Sequence, residues 1–171
     1  SESICDELNT NANMSDDRHY YYEIIKELVI DDTSNNDNYV VCETFWGVLN
    51  LNFHDIHITN TNIAGEKNYG FVLTNNGTIK RGTIFPYLIT TSEMGDKICN
   101  KGVICAVNNG TVDDVTIYSS QKSQDIYIKS WNTYFGTIAG TNNGQLTFCV
   151  NRASIRGRCV NFGGIVGWSG G

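Results

Sequence analysis

Proline occurs once in this 171-residue chain, at Pro86, and methionine twice. Collagen needs Gly at every third position and abundant Pro, so that class is excluded. No run approaches the ~20 consecutive apolar residues of a membrane-spanning helix. Basic residues are few: 12 Lys and Arg face 18 Asp and Glu, for a net charge of −6 and a pI near 4.9. A nucleic-acid binder normally carries a basic stripe, so no nucleic-acid partner is expected. The charge is still too small, and the 40% apolar content too high, for a disordered chain. The cysteines contain no C-x-x-C pair, which removes the usual zinc signature. No basic segment followed by an apolar one marks a signal peptide. The expectation is a chain whose leader has been removed, or an excised piece.

What is present is Asn (21), Ile (18), Gly (17) and Thr (16). β-branched residues favour strands, and Asn and Gly favour tight turns. A chain of this length buries about 70% of its unfolded surface, so one domain spanning 1–171 is expected.

Four segments repeat: 69–84, 101–117, 135–151 and 162–171. Each has a short apolar run and a turn ending in Gly, usually followed by a second apolar strand. The turn glycines Gly77, Gly110, Gly144 and Gly171 are spaced by 33, 34 and 27 residues. The apolar runs are too short for helices and suit strands. Asn-Asn-Gly precedes the second strand three times, and both residue types tolerate left-handed backbone, so a tight turn is expected there. One unit cannot bury its apolar face alone, whereas stacked units can, which is the logic of a solenoid. Such stacking places Asn over Asn and predicts a side-chain amide ladder. Residues 85–100 and 118–134 exceed a compact coil and predict an added strand plus loop, with Asp125–Lys129 as the clearest strand. Pro86 is expected at a strand end or turn.

The segment FGTIAGTNNGQLTFCVNRASIRGRCVNFGGIVGWSGG (135–171) resembles the GLUG-motif repeat family, with Gly-Gly-Ile-Val-Gly strands, short Asn/Gly turns and following β-branched residues. Residues 101–117 and 69–84 fit the same pattern less closely, and 45–60 is similar to the segment that leads into such repeats. Cys105 falls in the first strand of its unit and Cys149 in the second, so no common cysteine role carries over. The resemblance implies a right-handed parallel β-solenoid in a secreted, surface or adhesin-like protein, and no catalytic residue set.

Residues 1–44 do not repeat and are expected to form an N-terminal cap and first coil. Ser3 could cap a short helix through Leu8. Tyr20–Ile30 alternates and predicts one strand, bulged near Lys26-Glu27, with Tyr22, Ile24, Leu28 and Ile30 on one face. Residues 31–38 read as an exposed loop, and Val40-Val41-Cys42 opens the next strand. Repeat coils then fill 45–171, and the last repeat is incomplete. Its open edge is expected to meet further repeats of the same chain or a like subunit.

Candidate chemistry is sparse. Two readings stand for Cys5, Cys42, Cys99, Cys105, Cys149 and Cys159: buried free thiols, or disulfides in a secreted chain. Sequence neighbours suggest Cys99–Cys105 and Cys149–Cys159, among 15 possible pairings. Asn13, Asn76 and Asn109 begin N-x-S/T sequons and are candidate glycosylation sites. His54 and His57 have opposite parity on an alternating strand and cannot jointly hold a metal there. His19 stands alone. The pairs Asp16-Asp17, Asp31-Asp32 and Asp113-Asp114 lack a calcium-loop frame. Arg152, Arg156 and Arg158 cluster without neighbouring acids, so glycan cleavage by paired carboxylates is not expected. Trp46 and Trp168 are candidate glycan contacts among many aromatics. No catalytic, cofactor or metal site is expected. The sequence thus predicts an extracellular structural or adhesive module without a membrane span. It would present the loops 31–38 and 119–125. The alternative is a carbohydrate-binding or polysaccharide-active β-helix.

Overall fold

The computed structural model describes residues 20–31, 39–64, 67–91, 97–119, 126–129 and 132–170. Among the described residues eighteen strands follow one another: β1 (Tyr21–Glu23), β2 (Leu28–Asp31), β3 (Tyr39–Phe45), β4 (Val48–Asn50), β5 (Asp55–Ala64) and β6 (Gly70–Asn75), then β7 (Thr78–Thr91), β8 (Cys99–Gly102), β9 (Cys105–Asn108), β10 (Thr111–Tyr118), β11 (Ile126–Lys129) and β12 (Thr133–Gly136), and last β13 (Ala139–Asn142), β14 (Gln145–Thr147), β15 (Val150–Arg152), β16 (Ile155–Arg158), β17 (Asn161–Phe162) and β18 (Val166–Ser169). Every strand pairing is parallel and joins one coil to the next. One face stacks β1, β4, β7, β10 and β14, and another stacks β3, β6, β9, β13 and β18. The fold is a parallel β-solenoid five strands deep.

The repeat read from the sequence is the physical register. Thr78 pairs with Thr111 and Thr111 with Gln145, while Asn75 pairs with Asn108 and Asn108 with Asn142. Equivalent apolar residues therefore stack inside: Ile79 over Val112, Ile84 over Ile117, and Phe71, Ile104 and Ile138 in the interior. Ile126 and Ile128 of β11 also point inward and are buried, as the alternation in 125–129 predicts.

The amide ladder forms twice. Inside, Asn75 Nδ2 donates to Asn108 Oδ1 at 2.8 Å, and Asn108 Nδ2 donates to Asn142 Oδ1 at 2.7 Å. Outside, Asn109 Nδ2 donates to Asn76 Oδ1 at 2.9 Å and Asn143 Nδ2 to Asn109 Oδ1 at 3.0 Å. An aromatic ladder runs elsewhere on the surface: His57 stacks on Phe85 at 4.6 Å, and Phe85 on Tyr118 at 5.7 Å.

Several expectations need correction. No helix exists among the described residues, so the helical N-terminal cap is not part of this fold. Residues 3–8, where that helix was expected, lie outside the described residues. The first described coil is instead made of strands, with β1 paired to β4 and β2 to β5. Tyr20–Ile30 is two strands around a bend at Lys26, because a solenoid coil must turn a corner there; the inward set Tyr22, Ile24, Leu28 and Ile30 holds. Residues 45–60 open a coil in register with the next one, with Phe45 opposite Asn75.

The turn glycines serve a different purpose from the one expected. Gly77, Gly110 and Gly144 have no left-handed φ. A Cβ on Gly110 would sit 2.1 Å from the Gly77 carbonyl oxygen, and one on Gly144 2.1 Å from that of Gly110. Glycine is needed because each coil's turn rests directly on the turn before it. The left-handed residues occupy the next corner: Asn52 (φ 52°) and Phe53 (φ 61°) in one coil, then Arg81 (φ 60°), Asp114 (φ 53°) and Phe148 (φ 51°), one in each of the three that follow. Pro86 lies within β7 rather than at its end. It sits opposite Ile58, where the β5 register shifts, and beyond Ile84, the last β7 residue paired with β10. The ladder is interrupted there, so the missing N–H is tolerated.

Candidate functional site

The last coil is built like the others but is covered on one side only. Among the described residues, β14 to β18 each pair with the preceding coil and with nothing beyond it. The consequence shows in each interior column. Ile79 and Val112 are fully buried, whereas Leu146, next in line, is half-buried. Ile126 is buried and its partner Ile155 is half-buried. Cys149, Ala153, Cys159 and Ile165 are likewise packed against the core on one side. Phe135 is buried, and Phe162, 5.7 Å from it, is exposed. Phe148 (82% exposed), Val150, Val160 and Trp168 extend this apolar surface. The strands also present one row of unpaired backbone donors and acceptors, a template for another parallel strand.

The sequence candidates are dispersed. Trp46 (41% exposed) stands at the turn beside Gly47, in line with the outer amide ladder. Trp168 (45% exposed) lies in the last coil, stacked on Tyr134 at 6.3 Å. Four coils separate them, about 19 Å along the axis, so they do not form one sugar platform. Asn76 and Asn109 lie on the outer ladder; Nδ2 of Asn109, the atom that would carry a glycan, already donates to Asn76. Asn13, Cys5, His19, Asp16-Asp17, most of the loop 31–38, and 120–125 lie outside the described residues.

The disulfide reading is corrected. Among the described residues no cysteine is in a disulfide, so neither Cys99–Cys105 nor Cys149–Cys159 forms. Several sulfurs meet backbone instead: Cys105 Sγ approaches the Ile138 carbonyl oxygen, Cys149 Sγ that of Val112, and Cys159 Sγ that of Asn161. Burial pushes the Cys105 thiol far above its ordinary pKa, raises that of Cys149, and raises that of Cys159 to about 11. Thiols held protonated are poor nucleophiles and metal ligands. Cys149 also sits at the bend between β14 and β15 rather than in a strand.

His54 precedes β5, which starts at Asp55, so it does not share a strand with His57. His57 Nε2 lies 3.2 Å from a Glu27 carboxylate oxygen. Asp113 accepts the Thr147 hydroxyl, while Asp114 points to solvent at the left-handed corner. Among the described residues no group of three or more His, Cys, Asp or Glu could hold a metal.

Sequence reasoning passed over Lys101. It is fully buried on β8, between Tyr69 and Phe135 in the stack, and its Nζ donates to the Lys67 carbonyl oxygen at 2.7 Å. Burial lowers its pKa from 10.5 to about 8, against a small upward pull from Cys99. Its only signal lies in the register, which sets a lysine among aromatic neighbours. No family model, curated protein or solved structure matches this chain.

Proposed function

We propose that this chain is a structural module of extracellular surface material, whose last described coil stacks on a coil of a like subunit. The half-exposed interior of the last coil carries this reading. Leu146, Ile155 and Ile165 face the open end, although their counterparts one coil earlier are fully buried. Partly exposed apolar columns and a strand edge of this kind favour association with another coil. Contact between such an edge and the opposite end of another copy is heterologous, and it extends into a filament unless the rotation closes. The first described coil offers apolar surface at the other end, with Ile25 (81% exposed) and Val29 on it. The likeness of residues 135–171 to GLUG-motif repeats and the two sequon asparagines on the surface ladder support the extracellular setting. Among the described residues no helix is long and apolar enough to cross a membrane.

Sedimentation velocity across a range of concentrations, with negative-stain imaging, tests the proposal. Association should grow with concentration, and Ile155→Lys should abolish it while the far-UV circular dichroism keeps its β signature. A chain that stays monomeric throughout would overturn it.

A further inference from the structure

We propose that Asn143 is a site of self-modification, at which a cyclic imide forms with Gly144 and water converts the side-chain amide to a carboxylate. This does not rest on the stacking of coils. The chain holds three Asn-Gly pairs: Asn76-Gly77, Asn109-Gly110 and Asn143-Gly144. With no Cβ beside it, a glycine nitrogen is open to close approach. It can attack Cγ of the preceding asparagine. The N–Cγ bond forms, the backbone amide proton passes to a solvent base, and the Cγ–Nδ2 bond breaks to release ammonia. Water then opens the imide at either carbonyl, giving an aspartyl or an isoaspartyl residue.

The three pairs share their covalent neighbours, since each follows another Asn and ends in Gly. They also occupy the same corner of successive coils, next to the paired residues Asn75, Asn108 and Asn142. A difference in reactivity between them therefore comes from the fold. Two features single out Asn143. The first is the nucleophile. Gly110 N donates to the Asn75 carbonyl oxygen at 2.9 Å, and Gly77 N donates to Asn75 Oδ1 at 3.2 Å. An N–H so engaged must give up its bond before it can attack. One coil later the equivalent carbonyl oxygen, that of Asn108, accepts from Asn143 N at 2.7 Å, and among the described residues none accepts from Gly144 N.

The second feature is the restraint on the side chain. Asn109 is held from both sides: its Nδ2 donates to Asn76 Oδ1, and its Oδ1 accepts from Asn143 Nδ2. Asn143 ends this ladder, is exposed, and has its side chain held by that one bond among the described residues. Ser169 pairs with Asn142, so Gly170 stands next in the column and brings no side chain to hold Asn143 from beyond. Conversion removes the Nδ2 donor, and a carboxylate oxygen then faces the Asn109 Oδ1 that the amide had bonded. The outer ladder loses its last link, while Asn76 and Asn109 stay joined.

The test is peptide mapping by mass spectrometry of the full chain, aged in mildly alkaline heavy-oxygen water, folded and in parallel in urea. In the folded chain Asn143 should convert at least fivefold faster than Asn76 or Asn109, with the heavy label in its new carboxyl group. In urea the three rates should agree within twofold, because their covalent neighbours are alike. Anion exchange should resolve one main acidic form of the aged folded chain, and Asn143→Ser should not produce it. Folded-state conversion at Asn76 or Asn109 as fast as at Asn143, or at none of the three, would overturn the proposal. So would a lead of Asn143 that persists in urea, or an acidic form that survives Asn143→Ser.

Discussion

Lys101 provides the sharpest test of the packing. Its amine is fully buried, and burial lowers its pKa to about 8 from 10.5. Between these values the unfolded chain binds the proton more than the folded chain does, so stability rises with pH across that window. Below it, carrying a buried charge costs about 3 kcal/mol, from the difference in pKa at about 1.36 kcal/mol per unit. Lys101→Met keeps most of the volume, removes the charge, and gives up the bond to the Lys67 carbonyl oxygen. That bond contributes about 1 kcal/mol. The variant should therefore be about 2 kcal/mol more stable than the parent at about pH 7 and close to parity at about pH 10. Buried Cys105 and the half-buried Cys149 and Cys159 have raised pKa values, so they lose stability as pH climbs through the thiol range. That loss is common to both proteins and cancels in the difference. Urea unfolding followed by circular dichroism at the two pH values reads the difference directly. Two stability curves that run parallel across this range would refute a desolvated Lys101.

The two amide ladders should differ in worth. Asn108→Ala removes a buried link that accepts from Asn75 and donates to Asn142, and should cost about 3 kcal/mol; Asn109→Ala, on the exposed ladder, should cost under about 1 kcal/mol. Equal losses of melting temperature in the two variants would show that burial is not what gives the inner ladder its weight. Phe148→Gly should stabilise the chain by about 0.5–1 kcal/mol, since it relieves about 1–2 kcal/mol of left-handed backbone strain at the cost of glycine's greater freedom when unfolded. Chemical denaturation checks this, and a clear destabilisation would mean that the ring makes contacts its exposure does not show.

The coil repeat was legible because stacking imposes it on the covalent sequence. A residue pairs with its equivalent one coil later, so Gly77, Gly110 and Gly144 and the adjoining asparagines had to recur together. The amide ladder follows from that recurrence alone. Features with no repeating chemistry were not legible. The left-handed corner recurs in space, yet Arg81, Asp114 and Phe148 share no side-chain character, so composition gave no sign of it. The choice between free thiols and disulfides was not legible for a related reason. Cys105 and Cys149 lie far apart in sequence and meet different backbone groups, and sequence proximity of other pairs carried no geometric weight.

The candidate surfaces divide along the same line. Ile155 and Ile165 belong to interior columns that no described residue covers on the far side, and the incomplete last repeat was the only sign of this in the sequence. The cluster of basic residues was visible only as three nearby arginines until the register set Lys129 beside Arg158 and Tyr127 beside Arg156. Coil stacking turns residues 29 positions apart into lateral neighbours. A surface on a solenoid is therefore two-dimensional in register, and one line of sequence shows only one of its edges. The two sets of residues also lie on different sides of the same coil: Leu146, Ile155 and Ile165 point into the interior, and Arg156 and Arg158 are exposed.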